Sequence, residues 1–213
     1  SYSNINQCCI LLSENAEYSR ITNNTFRRVP SCLRLISSSN VLFGFNNVTL
    51  SNGLEYDSNF NNAVIFQEFG VTNSGKLDII YNKINHNTSG SPLIISKGDP
   101  LKPQNPIKII GNDLLVNGKD LKSKFIYLEN CPNSIINDNN VRGNILTPND
   151  SAITLINSDN CLIDNNYFKF FDYALNIINS NNTKIGNINF EDINVDNILF
   201  DINSVNIIFT KSQ

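Results

Sequence analysis

Tryptophan and methionine are absent from this chain of 213 residues, and histidine occurs once, as His86. A chain without an initiator Met reads as a mature fragment or an excised segment of a longer protein. No charged n-region followed by an apolar h-region opens it, so any signal peptide is absent or already removed. Charge is sparse and nearly balanced, with 16 Lys+Arg against 19 Asp+Glu and a net charge of -3. That balance excludes a basic footprint for nucleic acid or an anionic membrane. No apolar run approaches the length of a membrane span. The five cysteines (Cys8, Cys9, Cys32, Cys131, Cys161) include no CxxC pair. With one histidine, that leaves no zinc site, so no metal ligand is expected. The odd count argues against a complete disulfide framework and for thiols packed as small apolar groups.

What is present is 40% hydrophobic residues, with Asn near a fifth of the chain and Ile near a seventh. That is too apolar for a disordered tail. The Asn residues are ordered by a repeat: apolar, any, apolar, two of any kind, Asn, any, apolar. Its copies are Ser19-Ile21-Asn24-Phe26, Val41-Phe43-Asn46-Val48, Leu77-Ile79-Asn82-Ile84, Ile107-Ile109-Asn112-Leu114, Ser134-Ile136-Asn139-Val141 and Cys161-Ile163-Asn166-Phe168. A seventh copy, Thr183-Ile185-Ile188-Phe190, keeps the apolar frame and loses the Asn. The steps, about 22 to about 36 residues, fall in the range of solenoid repeats.

Upstream of each copy lies a second apolar run, such as CCILL (8–12), FIYL (125–128) and AITLI (152–156), often followed by a Ser/Asn-rich turn. Each unit therefore holds about three short strands with period-two alternation, and no helical period is sustained. The recurring Asn has two attractions. It tolerates the left-handed conformation of a tight bend. Its amide can also donate to and accept from the copy one rung away, at about 4.8 Å. The chain is expected to be all-β, a single parallel β-helix of about eight rungs over residues 1–213 with an internal Asn ladder. Phe26, Phe43, Phe168 and Phe190 fall on inward positions and predict an internal stack.

This pattern resembles the right-handed parallel β-helix of the pectate-lyase-like superfamily, which includes polysaccharide lyases, hydrolases and bacteriophage tailspikes. The resemblance covers nearly the whole chain. It implies an extracellular or virion-surface protein whose partner is a polysaccharide, with a homotrimer as one assembly. It places a substrate groove along the first strand of each rung, near positions 34, 67–68, 97, 129, 154 and 176. Insertions gather beside that groove at Gln67–Lys76, Ser96–Pro106, Ser51–Asn62 and Ile145–Ser151.

Candidate chemistry on that floor is Glu68 and Glu129 as catalytic carboxylates, two rungs and roughly 10 Å apart, at the outer limit for an inverting pair. Arg34, Lys97 and Asp99 are candidate substrate-binding residues, the cations suiting acidic sugars, and Tyr127 is a candidate stacking platform. Tyr56, Tyr81 and Tyr173 are further candidate platforms. Hydrolysis or β-elimination would follow, and a lyase would bring Ca²⁺; otherwise no cofactor is expected. The Asn-Thr-Asp, paired Asp and Gly-His-Gly signatures of polygalacturonases do not occur, nor does the Arg-containing signature of pectate lyases. Their absence keeps a rival class in view, a non-catalytic adhesin or spacer. His86 reads as a polar turn residue.

Overall fold

The computed structural model describes residues 8–13, 16–27, 31–36, 38–49, 64–68, 76–86, 93–101, 106–116, 124–143 and 151–209. Among them there is no helix, and the 21 strands pair in parallel throughout. The chain winds as a parallel β-helix. Its first face stacks Cys8–Leu12, Ser31–Ile36, Ile65–Glu68, Ile94–Lys97, Lys124–Glu129 and Ser151–Ile156. The C-terminal parts of the strands Asn166–Ile178 and Ile188–Phe200 add two more rungs, making eight. The second face is an eight-stranded sheet from Arg20–Thr22 to Ile208–Phe209. The third begins at Thr25–Arg27 and merges with the first, because Asn166–Ile178 and Ile188–Phe200 run without a break from one face into the other.

Period-two alternation decides what fills the coil. Leu33, Ile65, Ile94, Ile126, Ile153 and Leu175 stand in register up the first face and are fully buried. Phe43, Ile79, Ile109, Ile136, Ile163 and Ile185 do the same on the second face. On the third, Phe26 stacks near Phe43 with ring centroids 6.0 Å apart, and Phe168 on Phe190 at 6.3 Å. The four phenylalanines expected inside thus form two stacked pairs at opposite ends of the column.

The six asparagines of the repeat align in one row at the corner between second and third strands, exposed at its first member, Asn24, and buried from Asn46 to Asn166. Each Oδ1 from Asn46 onward accepts both the backbone N–H and the Nδ2–H of the Asn one rung earlier. For Asn112 as acceptor and Asn82 as donor these distances are 2.9 and 3.0 Å. Each Nδ2 from Asn46 to Asn166 also donates to a carbonyl of the rung before, from Ile21, Phe43, Ile79, Ile109 and Ile136 in turn. The row stops at Ile188, which pairs in register with Asn166. One part of the rationale for Asn needs correction. The left-handed residue is the one before it: Asn23, Phe45, Tyr81, Gly111, Asp138 and Asn165, with φ between 50° and 66°. The amide is retained for its hydrogen bonds alone.

A second ladder runs at the corner between first and second strands. Ser158 Oγ accepts from Cys131 N (3.1 Å), Ser180 Oγ from Ser158 N (2.9 Å) and Ser204 Oγ from Ser180 N (3.1 Å). Here left-handed asparagines do serve the bend, at Asn130, Asn133, Asn157, Asn160, Asn179 and Asn182. The cysteines are free, with Cys32, Cys131 and Cys161 buried. His86 lies in the strand Lys83–His86, paired with Val116, rather than in a turn. The insertions at 51–62, 69–75, 102–105 and 145–150 lie outside the described residues, as does Tyr56.

Candidate functional site

Register sorts the expected floor into separate columns. Glu68, Lys97 and Glu129 share one, with Lys97 one rung from each carboxylate-bearing residue. Arg34, Phe66, Ile95, Tyr127, Thr154 and Asn176 share the neighbouring one. Gln67 belongs to neither. It faces the interior, where its Oε1 accepts from Ser96 Oγ at 2.8 Å. The side chain of Glu68 lies outside the described part of the molecule.

Three of the expected residues meet. Glu129 Oε2 accepts from Tyr127 OH at 2.9 Å and lies 4.0 Å from Lys97 Nζ, which stands 5.9 Å from the Tyr127 ring centroid. Lys97 and Glu129 side chains are 31% and 30% exposed. An ion pair so exposed contributes little to stability, about 0–1 kcal/mol. Tyr127 is buried, and burial pushes its phenol well above the usual range, with the hydrogen bond to Glu129 and the charge of that carboxylate adding to it. It is no open stacking platform. Thr154, one rung on, is fully buried, so the outer surface of the first face is covered there. Arg34 lies three rungs from Tyr127, too far to join the cluster.

Past the ends of these strands the first corner opens into a groove of about 450 Å³. It is lined by Asp99, Pro100, Leu101, Asn130, Pro132, Asn157, Asp159, Asn179 and Asn181. Of the expected site residues, Asp99 alone lines it. The bend fixes these side chains. Asn179 Nδ2 donates to Asn157 Oδ1 (2.6 Å), Asn130 Nδ2 to Gly98 O (3.0 Å), Asn181 N to Asp159 Oδ1 (2.6 Å) and Leu101 N to Asp99 Oδ1 (2.8 Å).

No protein-family model matches this chain, nor does any curated protein or solved structure. What it can do must therefore be argued from its own surfaces.

Among the described residues, no group of three or more His, Cys, Asp or Glu side chains could hold a metal ion. No helix among them is long and apolar enough to cross a membrane. Exposed aromatic area lies elsewhere. Phe45 and Tyr81 stack at 5.4 Å on the second corner, 53% and 55% exposed. Sequence reasoning placed Asn157, Ser158, Asn179 and Asn181 in Ser/Asn-rich turns, did not single out Asn130, and missed that four rungs of such turns build a concave surface. Stacking those turns at the repeat step would have exposed the columns.

Proposed function

We propose that this chain is an extracellular or virion-surface β-helix of the pectate-lyase-like kind that recognises polysaccharide. The observation that carries this reading is the first-corner groove, where carboxamides and carboxylates are held in fixed geometry along consecutive rungs. Such groups match hydroxyl-bearing ligands, which both donate and accept. A rigid coil whose surface repeats at each rung suits an extended polymer with its own repeat.

The register bears on catalysis. An inverting pair of carboxylates leaves room for a water between them. Lys97 occupies the rung between Glu68 and Glu129, and Glu129 already accepts from Tyr127. This favours a face that binds over one that cleaves. The test is retardation in native gels cast with capsular or pectic polymers, run beside reducing-end and unsaturated-product assays. Retardation without product supports the binding module. Product formation that disappears in both Glu68→Gln and Glu129→Gln restores the enzyme. Absence of retardation and of product on every polymer removes the polysaccharide reading.

A further inference from the structure

Resting on that reading, we propose that the first-corner groove takes an uncharged glycan, one bearing hydroxyl or acetamido groups, and turns away polyuronates. The expectation drawn from the strand floor was the opposite, with Arg34 and Lys97 serving acidic sugars.

The first reason is charge. Among the described residues the groove wall carries two carboxylates, Asp99 and Asp159, and no Lys or Arg. The nearby cation, Lys97, pairs with Glu129 on the floor. A uronate laid against this wall would meet like charge, with no cation among the described lining residues to offset it, and like-charge juxtaposition is an effective means of rejecting a partner.

The second reason is the inventory of polar atoms. The bend consumes one polar atom of each side chain and leaves the other without a partner among the described residues. Asn157 and Asn181 each keep an Nδ2 donor, since their Oδ1 atoms accept from Asn179 Nδ2 and Val205 N. Asn130 and Asn179 each keep an Oδ1 acceptor, since their Nδ2 atoms donate to Gly98 O and Asn157 Oδ1. Asp99 and Asp159 each keep a second oxygen. Along Asn130, Asn157 and Asn179 the spare atoms run acceptor, donor, acceptor, and Asp159 and Asn181 add an acceptor and a donor, a mixture that neutral hydroxyls and acetamido groups can match. Asn130, Asn157 and Asn179 occupy equivalent places in successive rungs, their backbones linked by Asn130 N to Ile156 O (2.9 Å) and Asn157 N to Ile178 O (3.1 Å). A polymer aligned with the coil axis meets one such amide per rung, already oriented, so little ordering cost attends binding.

The experiment is calorimetric titration of the full chain with chitohexaose, cellohexaose and hexagalacturonate, run once in buffer containing a chelator and once with added Ca²⁺. At least one neutral hexamer should bind, with hexagalacturonate at least about tenfold weaker. The double variant Asn157→Gly/Asn179→Gly keeps the left-handed backbone, which glycine adopts freely, and removes two side chains. It should weaken the neutral hexamer by about tenfold, the loss of one or two net hydrogen bonds. Asp99→Asn/Asp159→Asn keeps the acceptors the bend needs and should raise affinity for hexagalacturonate. An unchanged unfolding midpoint certifies each variant as folded. Hexagalacturonate binding as tightly as the neutral hexamers, and losing affinity in Lys97→Gln, overturns the groove assignment while polysaccharide recognition stands. Binding that demands Ca²⁺ overturns it too, because the carboxylates would then be ligands. Failure of every hexamer and polymer to bind sinks the parent reading with it.

Discussion

Replacing Asn112 by alanine should be among the most costly single changes in the coil. Its Oδ1 accepts from Asn82 N and Asn82 Nδ2, and its Nδ2 donates to Ile79 O (2.9 Å) and Asn139 Oδ1 (2.9 Å). Alanine strands one buried backbone group, the Asn82 N–H, and takes from the Ile79 carbonyl the amide bond it receives besides its place in the parallel ladder with Ile109. Asn82 Nδ2 keeps Phe43 O, and Asn139 Oδ1 keeps Asn112 N. At about 1–3 kcal/mol for the unsatisfied group and about 1 kcal/mol for the lost bond to Ile79 O, the loss is about 3 kcal/mol. That is a fifth or more of the stability of an ordinary domain. Asn24 is the comparator. It opens the row, its Nδ2 donates to Thr22 O and Asn46 Oδ1, and Asn46 Oδ1 keeps Asn24 N. Asn24→Ala should cost under about 1 kcal/mol, one net hydrogen bond. Urea unfolding followed by far-ultraviolet circular dichroism measures both, since there is no Trp to report by fluorescence. If Asn112→Ala costs no more than Asn24→Ala, the ladder is not what holds the rungs in register.

Three further outcomes are expected. Ser158→Ala should lose about 1–3 kcal/mol in the same unfolding assay, because Cys131 N is left without an acceptor in the interior. Gly111→Ala combines left-handed strain of about 1–2 kcal/mol at φ 66° with a Cβ placed 2.4 Å from Tyr81 ring atoms. A double-mutant cycle with Tyr81→Ala should therefore show coupling. The Cys131 and Cys161 thiols are each pushed up to about 12, chiefly by burial. Unfolded thiols titrate near 8.5, roughly, so the stability they contribute is whole below that pH. It is lost as pH rises toward about 12, at up to about 1.4 kcal/mol per pH unit for each thiol. Urea midpoints taken under reducing conditions should fall across that window, and fall less steeply in Cys161→Ala.

The architecture was legible because its determinants are local and repeated. Alternation placed Ile79, Ile109 and Ile136 inside, and amide chemistry placed Asn82, Asn112 and Asn139 in a row. The left-handed residue was misplaced by one position because propensity marks it at Asn23, Gly111, Asp138 and Asn165 but not at Phe45 and Tyr81, while Asn recurs one place later in each of the six copies. Phe45 and Tyr81 are poor candidates for that conformation, and they gain from stacking on each other, a contact between rungs. The serine ladder was hidden because Ser158, Ser180 and Ser204 look like ordinary turn residues until their rung spacing is noticed. Of the site, the column Glu68–Lys97–Glu129 was legible, since aligning the rungs set the two glutamates two rungs apart with Lys97 on the floor between them. The burial of Tyr127 and the groove could not, since both depend on what neighbouring rungs place around them.

At the second corner two duties that one residue could have shared are split between adjacent positions. The inner amide does the bonding, and the outward residue before it only has to accept an unusual backbone. Asn23, Gly111, Asp138 and Asn165 adopt that backbone readily and Phe45 and Tyr81 do not, yet all six occupy the same spot. The scaffold thus carries a strip of replaceable external characters, one per turn, whose exchange leaves the internal wiring intact. A lineage or a designer could rewrite that strip to change what the rod displays without having to solve the folding problem again.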